Sequence, residues 1–167
     1  DVTACMEVAN RPMKLALILA LHLGRRAGDL IALTWGDYDG ECIAVTNRKG
    51  GRRIKFKARC TAMLRETLDA AKRALGRIPH KDEPILTTVE GLPWVESHFS
   101  TKFSATKNRA KLTHLHFHDL RGTAITVLAE NGCTNAEIAA ISGHSMKHIE
   151  KIIDTYMART RALNDAA

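Results

Sequence analysis

Residues 118–156 decide the fold, and they read HDLRGTAITVLAENGCTNAEIAAISGHSMKHIEKIIDTY. Their apolar spacing and turn residues predict three consecutive helices, over about residues 119–130, 134–142 and 146–158. Thr134, with Glu137 three residues later, has the pattern of an N-terminal capping box for the second of these helices. The segment therefore predicts a mostly helical domain.

The upstream sequence adds further helices and a small sheet. Helical spacing covers about residues 12–22, 28–33, 61–75 and 95–112. Cys42–Thr46 and Arg53–Lys57 instead favour β residues, and the glycine-containing loop Asn47–Gly51 between them predicts a hairpin. A short strand is also expected over residues 84–87. The predicted fold class is therefore mostly α (α+β), multihelical with a small antiparallel β-sheet or hairpin, and 167 residues suffice for one domain.

Composition and charge favour a polyanionic partner. The formal net charge is +7 and the pI about 9.5, which makes nucleic acid the first candidate; the alternative is an ordinary basic protein. Residues 13–23 are apolar but too short to span a membrane. The four cysteines are scattered without metal-ligand spacing, as in a reduced cytosolic protein. The chain begins with Asp-Val rather than Met, so we expect a processing boundary and a missing upstream domain.

Two local patterns each allow more than one interpretation. The hairpin tip, residues 47–53, is the densest basic patch; it could contact phosphates closely through its glycines, or be a solvated tip that blocks aggregation. His114, His116 and His118 alternate, which on a strand would suggest a metal site. Apart from Asp119 no carboxylate or cysteine completes such a site, so a helix start that favours an anion is the better interpretation.

The segment 118–156 also carries a set of reactive side chains. His118 and Arg121 are three residues apart and project from one face of a helix start, and Gly143-His144 follows the next helix. With Tyr156 added, these are the side chains that can hold a phosphate and attack it. The alternative is a helix-turn-helix over residues 134–152, which would explain the basic charge but not the His-x-x-Arg pair.

Three blocks of this sequence resemble the tyrosine recombinase (phage integrase) family. The first block runs from His118-Asp-Leu-Arg-Gly-Thr-Ala to Ile141-Ser-Gly-His144. The second, Gly24–Asp37, is similar to the family pattern Gly-x-Arg-x-x-Glu-Leu…Leu-x-Trp-x-Asp, with Asp29 where Glu is usual. The third is the hairpin, where the family places a lysine. The resemblance covers most of the chain and implies the multihelical fold of the tyrosine-recombinase catalytic domain.

The resemblance also implies a domain organisation. Residues 1–167 would be a single catalytic domain, and we expect the N-terminal core or arm DNA-binding domains of the family to be absent from this chain.

The resemblance assigns roles to individual residues. The implied catalytic residues are Arg26, Lys49, His118, Arg121, His144 and Tyr156, with Arg48 as the alternative to Lys49. Two arginines would hold the non-bridging phosphate oxygens, and the tyrosine would attack to give a 3′-phosphotyrosyl intermediate. The first histidine would act as the base, the lysine would protonate the leaving 5′ oxygen, and the second histidine would orient the phosphate.

One spacing departs from the family. Tyr156 lies 12 residues after His144, about one helical turn farther than is usual, so its helix needs an extra turn or an irregularity. The only other tyrosine, Tyr38, lies in the wrong block. The residues expected to contact the DNA backbone are Arg25, Arg48, Arg52, Arg53, Lys102, Lys107 and Arg109.

The implied activity is site-specific recombination of double-stranded DNA without a cofactor or a metal. The implied partners are double-stranded DNA and other protomers, with no membrane. The protomers would form a tetramer on paired DNA sites, and the isolated domain could be a monomer. The implied compartment is the cytoplasm of a bacterium or of a phage-infected host cell. Two rival functions are a nicking-closing enzyme of the type IB topoisomerase kind and a non-catalytic helix-turn-helix regulator.

Overall fold

A computed structural model describes residues 2–49 and 52–165, without the side chains of residues 48, 49, 52 and 159–165. The described part contains eight α-helices, two short 3-10 turns and one two-stranded antiparallel sheet. The elements are α1 (Val2–Val8), α2 (Arg11–Leu23), α3 (Ala27–Ile31), β1 (Cys42–Lys49), β2 (Arg52–Arg59), α4 (Ala62–Arg73), α5 (Glu96–Arg109), α6 (Leu120–Glu130), α7 (Asn135–Ser142) and α8 (Met146–Asp165). The prediction of a mostly helical domain with one small antiparallel sheet is confirmed.

Helix α2 is the centre of the core. The side chain of Asn10 accepts a hydrogen bond from the Met13 amide at 3.0 Å and so caps the start of the helix. Leu17 and Leu19 are fully buried although they lie on different faces, as expected for a helix that is apolar nearly all round. Helices α4 and α6 pack against it. The helix ends at Gly24, whose φ is +58°.

Of the three helices of the segment 118–156, α6 packs against α2, and α7 and α8 pack against α6. Helix α6 buries Ile125 and Leu128 against the core. Helix α7 begins with the predicted capping box, in which the Thr134 amide donates to the Glu137 carboxylate at 2.8 Å and the Glu137 amide donates to the Thr134 hydroxyl at 3.3 Å. Helix α8 is longer than predicted, since it continues past residue 158 to Asp165.

The hairpin is also longer than predicted. Asn47 pairs with Ile54 and Lys49 with Arg52, because polar side chains do not prevent the backbone ladder from continuing beyond the apolar residues. Val45 is buried at the base of the hairpin, whereas Ile54 is 51% exposed, so the outer half projects beyond the core.

Two other predictions need correction. The expected strand over residues 84–87 is absent from the described residues; only isolated bridges occur there, Thr34 with Pro84 and Thr87 with Pro93. Helix α1 was not predicted, because seven residues give too few turns for an apolar period to be recognised. In the described part, no helix is both long and apolar enough to cross a membrane.

Candidate active site

The site is built where the turn after α2 meets the ends of two other helices. Gly24 lies so close to α6 and α7 that a Cβ atom there would be 3.0 Å from the Ser142 Cβ and 3.2 Å from the Ala124 Cβ. Its positive φ and this close approach both require glycine. The Gly24 carbonyl accepts a hydrogen bond of 2.7 Å from the Arg121 guanidinium, so the glycine of the second block positions the arginine of the first.

Arg121 projects from the first turn of α6 and is only 5% exposed. A second guanidinium nitrogen lies 3.2 Å from the His144 Nε2, while its Nε is buried and has no hydrogen-bond partner among the described residues. Burial lowers the pKa of Arg121 to about 10, with further lowering from Arg26 and Arg25. The group is therefore still cationic at neutral pH, and a buried cation with an unpaired donor favours an anion beside it.

His144 is held as a neutral ring. Because a guanidinium can only donate, the His144 Nε2 accepts from Arg121. The Nδ1 then carries the proton and donates to the Ser142 hydroxyl at 2.9 Å, which in turn donates to the Ile138 carbonyl at 2.6 Å. Burial, and next the charge of Arg121, lower the pKa of His144 to about 4. In this state both ring nitrogens form hydrogen bonds within the protein, and the ring orients the Arg121 guanidinium.

These groups line one pocket of about 590 Å³. Arg26, Arg121 and His144, which were predicted to act together, all border it, and Arg25 contributes a third guanidinium. Asp29 is the one carboxylate among the lining side chains that the structure describes. The pocket is thus strongly electropositive and open to solvent, since the Arg26 side chain is exposed.

His118 lies at the edge of this arrangement. It is exposed in the 3-10 turn Phe117–Asp119 that leads into α6, and its charge is one of those that lower the pKa of His144. Within the described part of the chain, no three His, Cys, Asp or Glu side chains are grouped as metal ligands.

Tyr156 is a predicted catalytic residue that the structure places outside the pocket. Its hydroxyl donates to the carboxylate of Glu130 at the C-terminal end of α6. Arg121 and Glu130 are nine residues apart on that helix, which corresponds to about 13 Å at 1.5 Å per residue. The tyrosine borders a separate groove between α6 and α8, together with His148 and Lys151.

The other tyrosine is unsuited to attack a substrate. Tyr38 is 5% exposed, and its hydroxyl donates to Asp69 at 2.8 Å. Burial, and then the hydrogen bond to Asp69, raise the pKa of the Tyr38 phenol far above its ordinary value. Among the tyrosines, Tyr156 therefore remains the candidate nucleophile.

The predicted DNA-contacting residues differ in their surroundings. Arg53 and Lys102 are exposed. Lys107 donates to the Thr113 carbonyl at 2.8 Å, and Arg109 donates to the Val8 carbonyl, so both are partly used within the domain. Arg25 is only 5% exposed and bonds to strand β1. The side chains of Arg48, Lys49 and Arg52 lie outside the described residues.

Sequence reasoning missed three residues that shape the site. Ser142 accepts from His144, His148 stacks on the His144 ring with centroids 4.9 Å apart, and Asn47 donates to the Ala140 carbonyl at 2.7 Å. No helical spacing indicates the stack, because His144 lies in the turn before α8 and His148 lies in its first turn. No local pattern indicates the contact between Asn47 and α7, because 93 residues separate the partners.

Comparisons with known proteins agree with this arrangement. The sequence profile of the phage integrase family matches residues 1–161. The chain belongs to the phage integrase family. No protein with curated annotation matches it.

Solved structures of this fold include several recombinases. XerA recombinase is similar with a TM-score of 0.72 and 17% identity, over 95% of this chain and 61% of XerA. The catalytic core of λ integrase gives a TM-score of 0.61 and 24% identity, over 84% of both chains. A λ integrase tetramer bound to a Holliday junction gives 0.61 and 25%, over 84% of this chain and 43% of that one. The phage integrase chain thus spans less than two thirds of XerA but most of the λ catalytic core.

Proposed function

We propose that this chain is the catalytic domain of a site-specific DNA recombinase that cleaves and rejoins DNA through a 3′-phosphotyrosyl intermediate. The observation that carries the proposal is the buried guanidinium of Arg121, which lines one pocket together with Arg26 and His144. Membership of the phage integrase family and the likeness to the λ integrase catalytic core support the same activity.

A phosphodiester matches this pocket chemically. Its non-bridging oxygens gain negative charge as a five-coordinate transition state forms, and guanidinium groups offer them forked donors. Arg26 and Arg121 would supply those donors. The position of Arg121 is already set by its bonds to Gly24 and His144, which lowers the cost of reorganisation during the reaction. While neutral, His144 would keep Arg121 in place by accepting its hydrogen bond. Protonation beside the anion would turn the His144 Nε2 into a donor to the phosphate, in exchange for the bond from Arg121.

The chemical step needs a nucleophile, a base and an acid. The Tyr156 oxygen would form a bond to phosphorus while the bond from phosphorus to the 5′ oxygen breaks. His118 would take the phenolic proton, and Lys49 would give a proton to the leaving 5′ oxygen. Attack by the 5′-hydroxyl of a second strand reverses these steps and rejoins the DNA, so the cycle needs no ATP, cofactor or metal.

The position of Tyr156 implies that α8 moves during the reaction. The phenol lies beside Glu130, roughly 13 Å along α6 from Arg121, so it must be released before it can reach a bound phosphate. We propose that DNA binding draws the outer part of α8 towards the pocket.

We propose double-stranded DNA and other protomers as the partners. A λ integrase tetramer bound to a Holliday junction supports an assembly of four protomers on paired sites, and the net charge of +7 suits DNA. The compartment would be the cytoplasm of a bacterium or of a phage-infected host cell.

The test separates catalysis from binding. In a pool of nicked duplexes of randomised sequence, Arg26→Ala and Arg121→Ala should each reduce formation of protein-linked DNA by on the order of 10²–10³-fold. Binding to the same pool should fall far less, because each variant loses one phosphate contact among many. Arg77→Ala, which removes a guanidinium paired with Glu83 outside the pocket, is the matched control.

Two outcomes would contradict the proposal. If cleavage by the two arginine variants falls only in proportion to binding, the arginines are DNA-positioning contacts and not catalytic groups. If the chain relaxes supercoiled DNA but joins no two sites, a nicking-closing enzyme is favoured over a recombinase.

A further inference from the structure

A buried clamp connects the hairpin to the candidate active site. Arg25, 5% exposed, donates from one guanidinium nitrogen to the Asn47 side-chain oxygen at 2.7 Å and from the other to the Thr46 carbonyl. The amide nitrogen of Asn47 donates to the Ala140 carbonyl, in the last turn of α7, at 2.7 Å. Three separate parts of the chain are thus joined by two side chains.

The clamp, formed by Arg25 and Asn47, also lies against the turn that carries His144. A Cβ atom on Gly143 would be 2.8 Å from the Arg25 guanidinium nitrogen and 3.0 Å from the Asn47 oxygen. Gly143 has a φ of +73°, which favours glycine, and an added Cβ would also displace the ends of the Arg25 and Asn47 side chains. The glycine of the Gly-His pair therefore makes room for the clamp beside the pocket.

Arg25 lacks an ion-pair partner in the part of the chain that the structure describes. Its hydrogen-bond partners are a neutral amide and a backbone carbonyl. Burial lowers the pKa of Arg25, although Asp29 acts in the opposite direction. Burying an arginine that has only neutral hydrogen-bond partners lowers the free energy of unfolding, which indicates a role beyond packing.

The clamp bonds to the outer part of strand β1. The inner part of β1 is anchored by the buried Ile43 and Val45, whereas the outer hairpin projects beyond the core. Strand β2 packs close to α7, and the side chain of Asn47 on β1 adds a hydrogen bond to it. Strand β1 ends two residues later at Lys49. The clamp thus sets the position of the strand end relative to His144.

We infer that Arg25 and Asn47 are positioning residues that hold the outer end of β1 against the His144 turn and thereby place the acid that protonates the leaving oxygen. The inference rests on the proposed function, in which Lys49 is that acid. It also replaces the sequence-based prediction that Arg25 contacts DNA, since its guanidinium is buried and already bonded.

The test uses a leaving group that needs no acid. The duplex that the chain cleaves best in the randomised pool is synthesised with either oxygen or sulfur as the bridging 5′ atom. A thiol has a pKa of about 8.5, against roughly 16 for a hydroxyl of the water type, so the sulfur leaves as an anion. A defect in leaving-group protonation is therefore corrected by sulfur, whereas a defect in phosphate binding is not.

Asn47→Ala should slow cleavage of the oxygen substrate by about ten- to a hundredfold, since small misplacements of a catalytic group have effects of this size. With sulfur, its rate should return to within about threefold of wild type, as should that of Lys49→Ala. Arg121→Ala should stay slow on both substrates. Lys57→Ala, at an exposed position on the same hairpin, is the matched control and should match wild type on both.

The Asn47→Asp variant separates the two hydrogen bonds of the Asn47 side chain. It keeps an acceptor for Arg25 but loses the donor to the Ala140 carbonyl, so it should also be slow with oxygen and corrected by sulfur. An Asn47→Ala variant that is equally slow on both substrates, or as fast as wild type on oxygen, would overturn the inference. An Asn47→Asp variant as fast as wild type would overturn the link to α7.

A second measurement does not depend on activity. In Asn47→Ala, amide hydrogen exchange at residues 46–47 and 143–144 should accelerate at least about tenfold, while exchange in the buried helix α2 stays unchanged. Unchanged exchange at those residues would overturn the clamp. If the wild-type chain cleaves no duplex at all, the proposed function fails, and the exchange measurement alone decides whether the clamp exists.

Discussion

His144 shows how neighbouring residues set the chemistry of a single side chain. Arg121 donates to one ring nitrogen and Ser142 accepts from the other, which leaves a neutral ring whose orientation is determined on both sides. The sequence indicated that Arg26, Arg121 and His144 act together, because their motifs are local and ordered along the chain. It did not indicate Ser142 as the partner of His144, since a serine before a Gly-His pair has no distinctive pattern.

The lowered pKa of His144 predicts a pH dependence of stability. The folded pKa of about 4 lies below the unfolded value of about 6.5, so between these values the unfolded chain binds a proton that the folded chain does not. Stability should therefore decrease as pH falls from about 6.5 to about 4, and this contribution should level off below that. Urea unfolding at a series of pH values should show a shallower decrease for His144→Gln.

His22 contributes to the remaining slope in that experiment, together with carboxylates such as Asp39 and Glu83, whose pKa values are lowered by hydrogen bonds. Burial lowers the pKa of His22 as well, so some decrease should persist in the His144→Gln variant. A variant whose stability falls as steeply as that of wild type over the same pH range would show that His144 is not held neutral by its surroundings.

At the scale of elements, local signals predicted most helices and the capping box at Thr134. Asn10, Thr134 and the glycines after α2 and α7 are turn or cap residues with short-range causes. The length of α8 could not be predicted in the same way, because its outer turns carry a mixed polar sequence with no stop residue before Asp165. The direction in which its tyrosine points depends on packing against α6, which is a long-range contact.

The contact between α8 and α6 predicts a rate effect. The Tyr156 hydroxyl donates to Glu130, and both side chains are exposed, so removing the negative charge should weaken the bond by roughly 0.5–1.5 kcal/mol. Glu130→Gln should therefore form protein-linked DNA about two- to tenfold faster, because less free energy is needed to release the phenol. Glu150→Gln, an exposed carboxylate elsewhere on α8, is the control. A rate equal to or below that of wild type would argue against a holding role for Glu130.

At the scale of the whole molecule, the site joins segments that are distant in sequence. The turn after α2, the end of β1, the start of α6 and the turn after α7 meet around one pocket. The resemblance of three sequence blocks predicted this convergence, and the fold is that of XerA and λ integrase structures. The contacts that hold the blocks together, such as Arg25 to Asn47 and Asn47 to Ala140, could not be predicted, because neither partner belongs to a local pattern.

Covalent capture of DNA by Tyr156 tests the central claim most directly. The chain is mixed with the pool of nicked duplexes, denatured, and the protein-linked DNA is collected and measured. Wild type and Tyr38→Phe, which changes the buried tyrosine, should both give the adduct, and Tyr156→Phe should give none. An adduct that persists in Tyr156→Phe, or its absence from wild type under every condition, would contradict the account.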